Sequence, residues 1–275
     1  MGDTNPMNRS GLNRVVVTGG GTFVGISIAS ALLAEGADVT LIIRSDNEER
    51  LGPLASRVRW QVADMWDPAS LRGRARGHSA LIHTVGSLTD DPQRGLTFHR
   101  LNFLSARNAA NMCISDGVPH MILLSAANAP WINHNYVKAK REAEEYLRRV
   151  GLQSSIVRAP LSYVRGQPRP LFYRMMSALG AIPLINLLGL RQVAPMPLDI
   201  LARGVARIAL QPPSTRSHYS AVDLWRLNKR EEIRGELPVM RDFDEVLSSQ
   251  PTVPYEQIDE ETPFGWIPPS GGAKS

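Results

Sequence analysis

The chain has 275 residues, with 31 Lys and Arg against 26 Asp and Glu, a formal net charge of +5 and one cysteine. With 43% apolar and 21% charged residues, the bulk of the chain is excluded from being disordered, and its length suits one large α/β domain with an appendage. Cys113 alone forms no internal disulfide, and no Cys/His cluster has zinc spacing, so neither a disulfide-stapled scaffold nor a metal site is expected.

The charge is unevenly placed. Residues 1–220 are basic on balance and residues 221–275 are acidic. A basic body attracts phosphates or anionic lipid. Its basic residues are scattered and lack interleaved aromatics, so no nucleic-acid platform is expected. No apolar run is long enough to span a bilayer. The start, Met1 to Arg14, includes Asp3 and reads neither as a secretory signal nor as a clear mitochondrial presequence.

In chain order, Arg14 to Thr18 is a β-branched run that enters the glycine cluster Gly19-Gly20-Gly21. The spacing predicts a helix from Phe23 to Leu33, closed near Gly36, then strands over Val39–Ile43, Val58–Val62 and Ala80–Thr84. A helix over Thr97–Ile114 precedes a strand over Met121–Leu124. A Glu- and Arg-rich helix over Tyr136–Val150 and a strand over Ser154–Val157 follow. Strands that lack period-2 alternation and alternate with helices predict a parallel, doubly wound sheet buried on both faces.

After Arg165 the rhythm changes. Leu171 to Leu190 is apolar, followed by Pro195, Pro197 and a predicted helix over Leu198–Leu210. The fold expected is α/β, a Rossmann-like domain over 13–164. A small C-terminal subdomain over 165–227 is expected to sit over the strand ends and close a pocket. An acidic, proline-rich, extended tail is expected over 228–275. Leu171–Leu190 suits subdomain core, a surface leaning on a membrane or membrane subunit, or the wall of an isoprenoid-like pocket. The flanking Arg165, Arg169, Arg174 and Arg191 suit anionic lipid headgroups.

The stretch Thr18 to Gly25 lies where the first strand meets the first helix. Glycines there let the backbone approach a pyrophosphate, and the helix N-terminus offers N–H groups and a positive dipole end. Arg44 follows the second strand, where an NAD site places an acid. A guanidinium there favours a 2′-phosphate, so NADP(H) is preferred over NAD(H). Asp64, after the third strand, is placed to accept from an adenine amino group. Tyr136 and Lys140 stand four apart on one helix face, and Ser125 ends the fifth strand. Together these three suit proton delivery to a carbonyl oxygen, with an ammonium favouring the phenolate.

These pieces resemble an extended short-chain dehydrogenase/reductase. The residues are the Gly19–Gly25 turn, Ala63-Asp64, Ile82-His83-Thr84-Val85-Gly86, Asn102, Ser125, Tyr136 to Lys140 and Arg158-Ala-Pro160. The layout of Val58-Arg59-Trp60, Leu124 to Ala127, Tyr136 to Glu142, and Ile182 to Asp199 is similar to one branch of that superfamily. That branch holds the 39-kDa-type accessory subunit of mitochondrial complex I and related ubiquinone-biosynthesis auxiliary proteins. The family turn carries a glycine where Thr22 stands, and a Cβ there is expected to crowd the pyrophosphate.

The resemblance implies catalytic roles for Ser125, Tyr136 and Lys140. It implies cofactor contacts at Gly19, Gly21, Thr22, Phe23, Val24 and Gly25, at Arg44 and Asp64, at Val85 and Gly86, and at Tyr136 and Lys140. Two functions stay open. One is a nucleotide-holding accessory protein of a respiratory or quinone-synthesis complex, reached through residues 171–190 and the tail. It would be peripheral on the matrix side of the inner mitochondrial membrane, or cytoplasmic and membrane-associated in a bacterium. The other is an active NADPH-dependent oxidoreductase or epimerase.

Overall fold

The computed structural model describes residues 13–45, 47–129, 131–165, 193–212 and 216–234. The expectations for Leu171–Leu190 and for the tail beyond 234 lie outside the described residues.

Seven strands form one parallel sheet. They are β1 (Arg14–Thr18), β2 (Asp38–Ile43), β3 (Arg59–Val62), β4 (Ala80–His83), β5 (Met121–Ala126), β6 (Ser154–Ala159) and, late in the chain, β9 (His218–Ser220). Their order is β3-β2-β1-β4-β5-β6-β9, and each neighbouring pair is parallel. Two short strands, β7 (Ser162–Tyr163) and β8 (Met196–Pro197), pair separately.

The helices are α1 (Phe23–Ala34), α2 (Pro68–Leu71), α3 (Ser105–Asp116), α4 (His134–Arg149), α5 (Leu198–Leu210), α6 (Ala221–Leu227) and α7 (Arg230–Arg234). The central strands are buried on both faces, and their residues divide by alternation. Val15 and Val17 face a cluster with Ile28 and Leu32 of α1 and Leu201 and Val205 of α5. Val16 faces the opposite cluster with Ala109 and Met112 of α3 and Leu147 of α4. α1 is buried over most of its circumference because the sheet covers one side and α5 the other.

Several expectations change. The helix expected over Thr97–Ile114 opens as a π-helical turn, His99–Leu104, before α3 begins. The described part of the 165–227 unit joins the main fold. α5 packs on α1, and β9 extends the main sheet beside β6. The extended tail expected from residue 228 is corrected at its start. Arg230–Arg234 is helical, and Glu232 holds Arg207 with contacts of 2.6 and 2.8 Å.

Candidate nucleotide and ligand site

β1 is flanked by β2 on one side and β4 on the other, so the chain winds outward in both directions from this pair. A doubly wound sheet opens a crevice at such a reversal, outside the carboxyl ends of the strands. A cavity of about 450 Å³ opens there. Its walls come from Thr22 after β1, Thr84 and Gly86 to Thr89 after β4, Leu124 to Ala126 of β5, Tyr136 and Lys140 of α4, and Ala159 to Ser162 after β6.

The β1–α1 turn is tightly built. Gly19 has φ +75°, where side chains are strained, and a Cβ on it would stand 2.6 Å from Thr84 Oγ1. A Cβ on Gly25 would stand 2.1 Å from the Gly19 carbonyl oxygen. Only glycine lets the helix start this close to the strand. Thr22 is the N-cap of α1. Its hydroxyl donates to the Gly19 carbonyl at 2.8 Å and accepts from the Gly25 N–H at 3.0 Å. The side chain whose Cβ was expected to crowd the pyrophosphate therefore closes the turn. It also satisfies one N–H that would otherwise be open to an anion.

Lys140 is 4% exposed and its ammonium donates to the Leu124 carbonyl at 3.1 Å. Burial brings its pKa down to about 8, against the pull of the Glu144 carboxylate. The ammonium lies 5.8 Å from the centroid of the Tyr136 ring. Phe98 meets that ring edge-on with centroids 6.1 Å apart. Burial pushes the Tyr136 phenol above its ordinary value, and Arg141 offsets this only in part. The phenol is therefore a proton holder at neutral pH.

Ser125 is turned away from this role. Its hydroxyl donates to Glu144 Oε1 at 2.5 Å and accepts from Arg141 Nη1 at 3.1 Å. Arg141 also donates to the Ala126 carbonyl at 2.8 Å, and Arg158 Nη2 to Glu144 Oε2 at 2.6 Å. Burial alone would raise the Glu144 pKa. The bonds from Arg158 and Ser125 and the charge of Arg141 outweigh it and hold the carboxyl below its usual range. Glu144 was not anticipated from the sequence. Its signal was there, four residues beyond Lys140 on the same helix face.

Asn102 supports the loop after β4. It accepts from the Ser87 N–H at 3.1 Å and donates to the Ser87 carbonyl at 3.0 Å. This clamp fixes Gly86 beside Lys140. His83 bonds Thr18 Oγ1 at 2.9 Å and is fully buried. Burial first, then the Lys140 charge, lowers its pKa to about 3, so it is a neutral packing residue.

A model of the family described as NAD(P)H-binding matches residues 19–164. The chain belongs to this NAD(P)H-binding family. An uncharacterized chloroplastic protein of Arabidopsis thaliana is 30% identical over 155 residues, which are 54% of this chain and 49% of that protein. Cinnamoyl-CoA reductase 1 of Petunia hybrida is 26% identical over 127 residues, 44% of this chain and 37% of the reductase. The chain thus spans half or less of these curated relatives. A short-chain dehydrogenase/reductase from Serratia marcescens superposes with TM-score 0.56 at 18% identity, covering 75% of this chain and 94% of that one. The Bordetella bronchiseptica enzyme WbmH in complex with NAD+ superposes with TM-score 0.56 at 18% identity, covering 76% of each chain. These likenesses show the Rossmann-type fold.

Within this NAD(P)H-binding frame, the residues expected in the site divide. Thr22, Val24, Gly86, Ser125, Tyr136 and Lys140 all line the cavity. Gly19 and Gly25 shape the turn from behind. Gly21 seats Asn47, whose Cβ would lie 2.6 Å from a Cβ at that position. Phe23 and Val85 are core residues and do not line the cavity. Asp64 is exposed outside the cavity, with its Oδ1 accepting from the Trp66 N–H at 2.9 Å. Arg44 follows β2 and is partly buried. Burial, and then Arg50, lowers its pKa.

The residues fit a nicotinamide dinucleotide. The N-cap of α1 in the glycine turn lines the cavity together with a phenol and a neighbouring ammonium.

Proposed function

We propose that this protein holds a nicotinamide dinucleotide at the β1–α1 turn, with NADP(H) preferred, mainly as a bound structural component. When bound, the cofactor supplies hydride chemistry to the cavity. The turn and the N-terminus of α1 hold the pyrophosphate, Arg44 reads the 2′-phosphate, and Tyr136 and Lys140 hold the nicotinamide ribose. The observation that carries the reading is the state of Ser125. Its hydroxyl is given to Glu144 and covered by Arg141, so the group that would orient a carbonyl is engaged elsewhere. The test is to load the purified protein with NADPH and follow the reduced nicotinamide while carbonyl compounds are added. Retained, unoxidised NADPH supports holding. Steady oxidation overturns it.

The wider setting is proposed on the resemblance stated above. In that setting the protein is an accessory to a membrane-associated respiratory or quinone-synthesis complex, peripheral on the matrix side or its bacterial equivalent. Residues 171–190 and the acidic tail make the attachment. Co-sedimentation of the native protein with such a complex tests this, and its recovery as an isolated monomer counts against it.

A second reading, an NADPH-dependent oxidoreductase or epimerase, is favoured by Tyr136. Its phenol faces the cavity, and burial keeps it protonated, as delivery of a proton to a carbonyl oxygen requires. If Tyr136→Phe supports growth of a deletion strain as well as wild type does, that reading fails.

A further inference from the structure

Part of the cavity wall is apolar, built by Leu88, Trp131, Ile132, Pro160, Leu161 and Leu201. The hydroxyls of the other lining residues are mostly satisfied within the protein. Thr22 bonds Gly19 and Gly25, and Thr84 donates to the Thr18 carbonyl at 2.6 Å. Ser87 donates to the Thr89 carbonyl at 2.7 Å and accepts from its N–H at 3.1 Å. Ser125 is held by Glu144 and Arg141. Among the described lining residues, Lys140 is the one cation, and it is bonded to Leu124.

A ligand here therefore finds few open polar partners. Tyr136, Ser162 and Asn133 contribute further polar side chains to the lining. A polar ligand atom elsewhere would lose its water without gaining a hydrogen bond, which costs about 1–3 kcal/mol per group. A diphosphate would fare worse, since it calls for guanidinium or ammonium partners. Several named structural neighbours are enzymes of nucleotide sugars, such as the UDP-Glc/GlcNAc 4-epimerase of Campylobacter jejuni. The described walls of this cavity do not suit that class.

We propose that the apolar part of this cavity wall binds an uncharged, predominantly apolar carbonyl compound. Its flat ring lies against Trp131, Ile132 and Leu161, and its single oxygen points at the Tyr136 phenol. Flat apolar surface against an aromatic side chain combines area burial with ring contact. The inference rests on the proposed nucleotide site, because Thr22, Gly86 and Lys140 line the same cavity. It holds whether the ligand is converted or only bound.

The test uses the full chain and two probes, 2-acetonaphthone and UDP-glucose. NADPH binding is measured first, by calorimetry, as an independent check on the nucleotide reading. Acetonaphthone binding is then followed by saturation-transfer NMR on the NADPH-loaded protein, with UDP-glucose as competitor. The expected result is that acetonaphthone binds and UDP-glucose does not displace it. Trp131→Ala is expected to weaken acetonaphthone binding about ten-fold. The competition needs no variant, so a poorly folding Trp131→Ala protein leaves the test intact. Displacement by UDP-glucose, absence of acetonaphthone binding to the NADPH-loaded protein, or binding indifferent to a folded Trp131→Ala variant overturns the proposal. A protein that binds acetonaphthone and no NADPH overturns the nucleotide reading instead and supports the ligand class.

Discussion

The Ser125 hydroxyl is bound to the Glu144 carboxylate, 2.5 Å from Oε1, beside the cavity that Ser125 lines. The carboxylate is held in turn by Arg141 and Arg158, so three side chains of α4 and β6 fix one serine of β5. This ties the helix that carries Tyr136 and Lys140 to the sheet. It also decides what the serine does.

Removing the carboxylate strands two guanidinium groups. Glu144→Ala is expected to destabilise the fold by about 2 kcal/mol, less than the loss of a wholly buried pair, because Arg158 reaches solvent. Ser125→Ala, which removes a hydrogen bond to a charged acceptor, is expected to cost about 1 kcal/mol. Urea unfolding of both variants checks the order. A Ser125→Ala loss equal to that of Glu144→Ala would mean the arginines contribute nothing.

Thr22 trades helix capping against access to the turn. Thr22→Gly is expected to lower stability by roughly 0.5–1 kcal/mol, from the lost cap and the added chain entropy. The same change frees the Gly25 N–H and removes a Cβ at the cavity wall. NADPH affinity is therefore expected to rise several-fold, the effect of about 1 kcal/mol. Thermal melts and calorimetry on one preparation report both quantities. Lower affinity in a folded Thr22→Gly protein would show that the threonine itself holds the nucleotide.

His83 sets an acid limit. Its folded pKa of about 3 lies below its ordinary 6.5. The unfolded chain thus binds a proton that the folded one refuses, and stability falls as pH drops from about 6.5 toward 3. His83→Asn should flatten that part of the stability profile. An unchanged profile would assign the acid limb to other groups.

Lys140 works at the alkaline side. Its folded pKa of about 8 lies below its ordinary 10.5, so the cost of burying the ammonium is fully present below pH 8. Stability from this group rises as pH climbs from 8 to 10.5. Nucleotide affinity is expected to run the other way, because the ammonium proposed to hold the ribose is lost above about pH 8. A Lys140→Met protein should bind NADPH more weakly and without that pH dependence. Parallel pH profiles in both proteins would remove Lys140 from the nucleotide site.

Much of this fold was legible because local and global signals agree over many of its elements. The β-branched run Arg14–Thr18 and the helix Leu198–Leu210 occupy the residues their patterns predict. The turn at Gly19–Gly25 is glycine-rich because a Cβ at Gly19, Gly20, Gly21 or Gly25 would stand 2.1–2.6 Å from another atom. What escaped depends on contacts distant in sequence. β9 is three residues long and exists through its pairing with β6. The π-helical turn at His99–Leu104 carries the buried Asn102 that clamps Ser87, which no helical period reveals. The tie between Ser125 and Glu144 joins residues nineteen apart. Phe23 and Val85, which flank cavity residues in sequence, point into the core. Adjacency in sequence does not distinguish those two environments.

The measurement that bears most directly on the account is nucleotide content. Native protein is extracted with acid, the released nucleotide is identified by mass spectrometry, and the emptied protein is titrated with NADPH and NADH. The account predicts about one NADP(H) per chain and tighter binding of NADPH than of NADH. An Arg44→Ala protein should lose that preference. Protein that releases no nucleotide and binds neither form would contradict it, and would mean that Thr22 has closed the turn to its ligand.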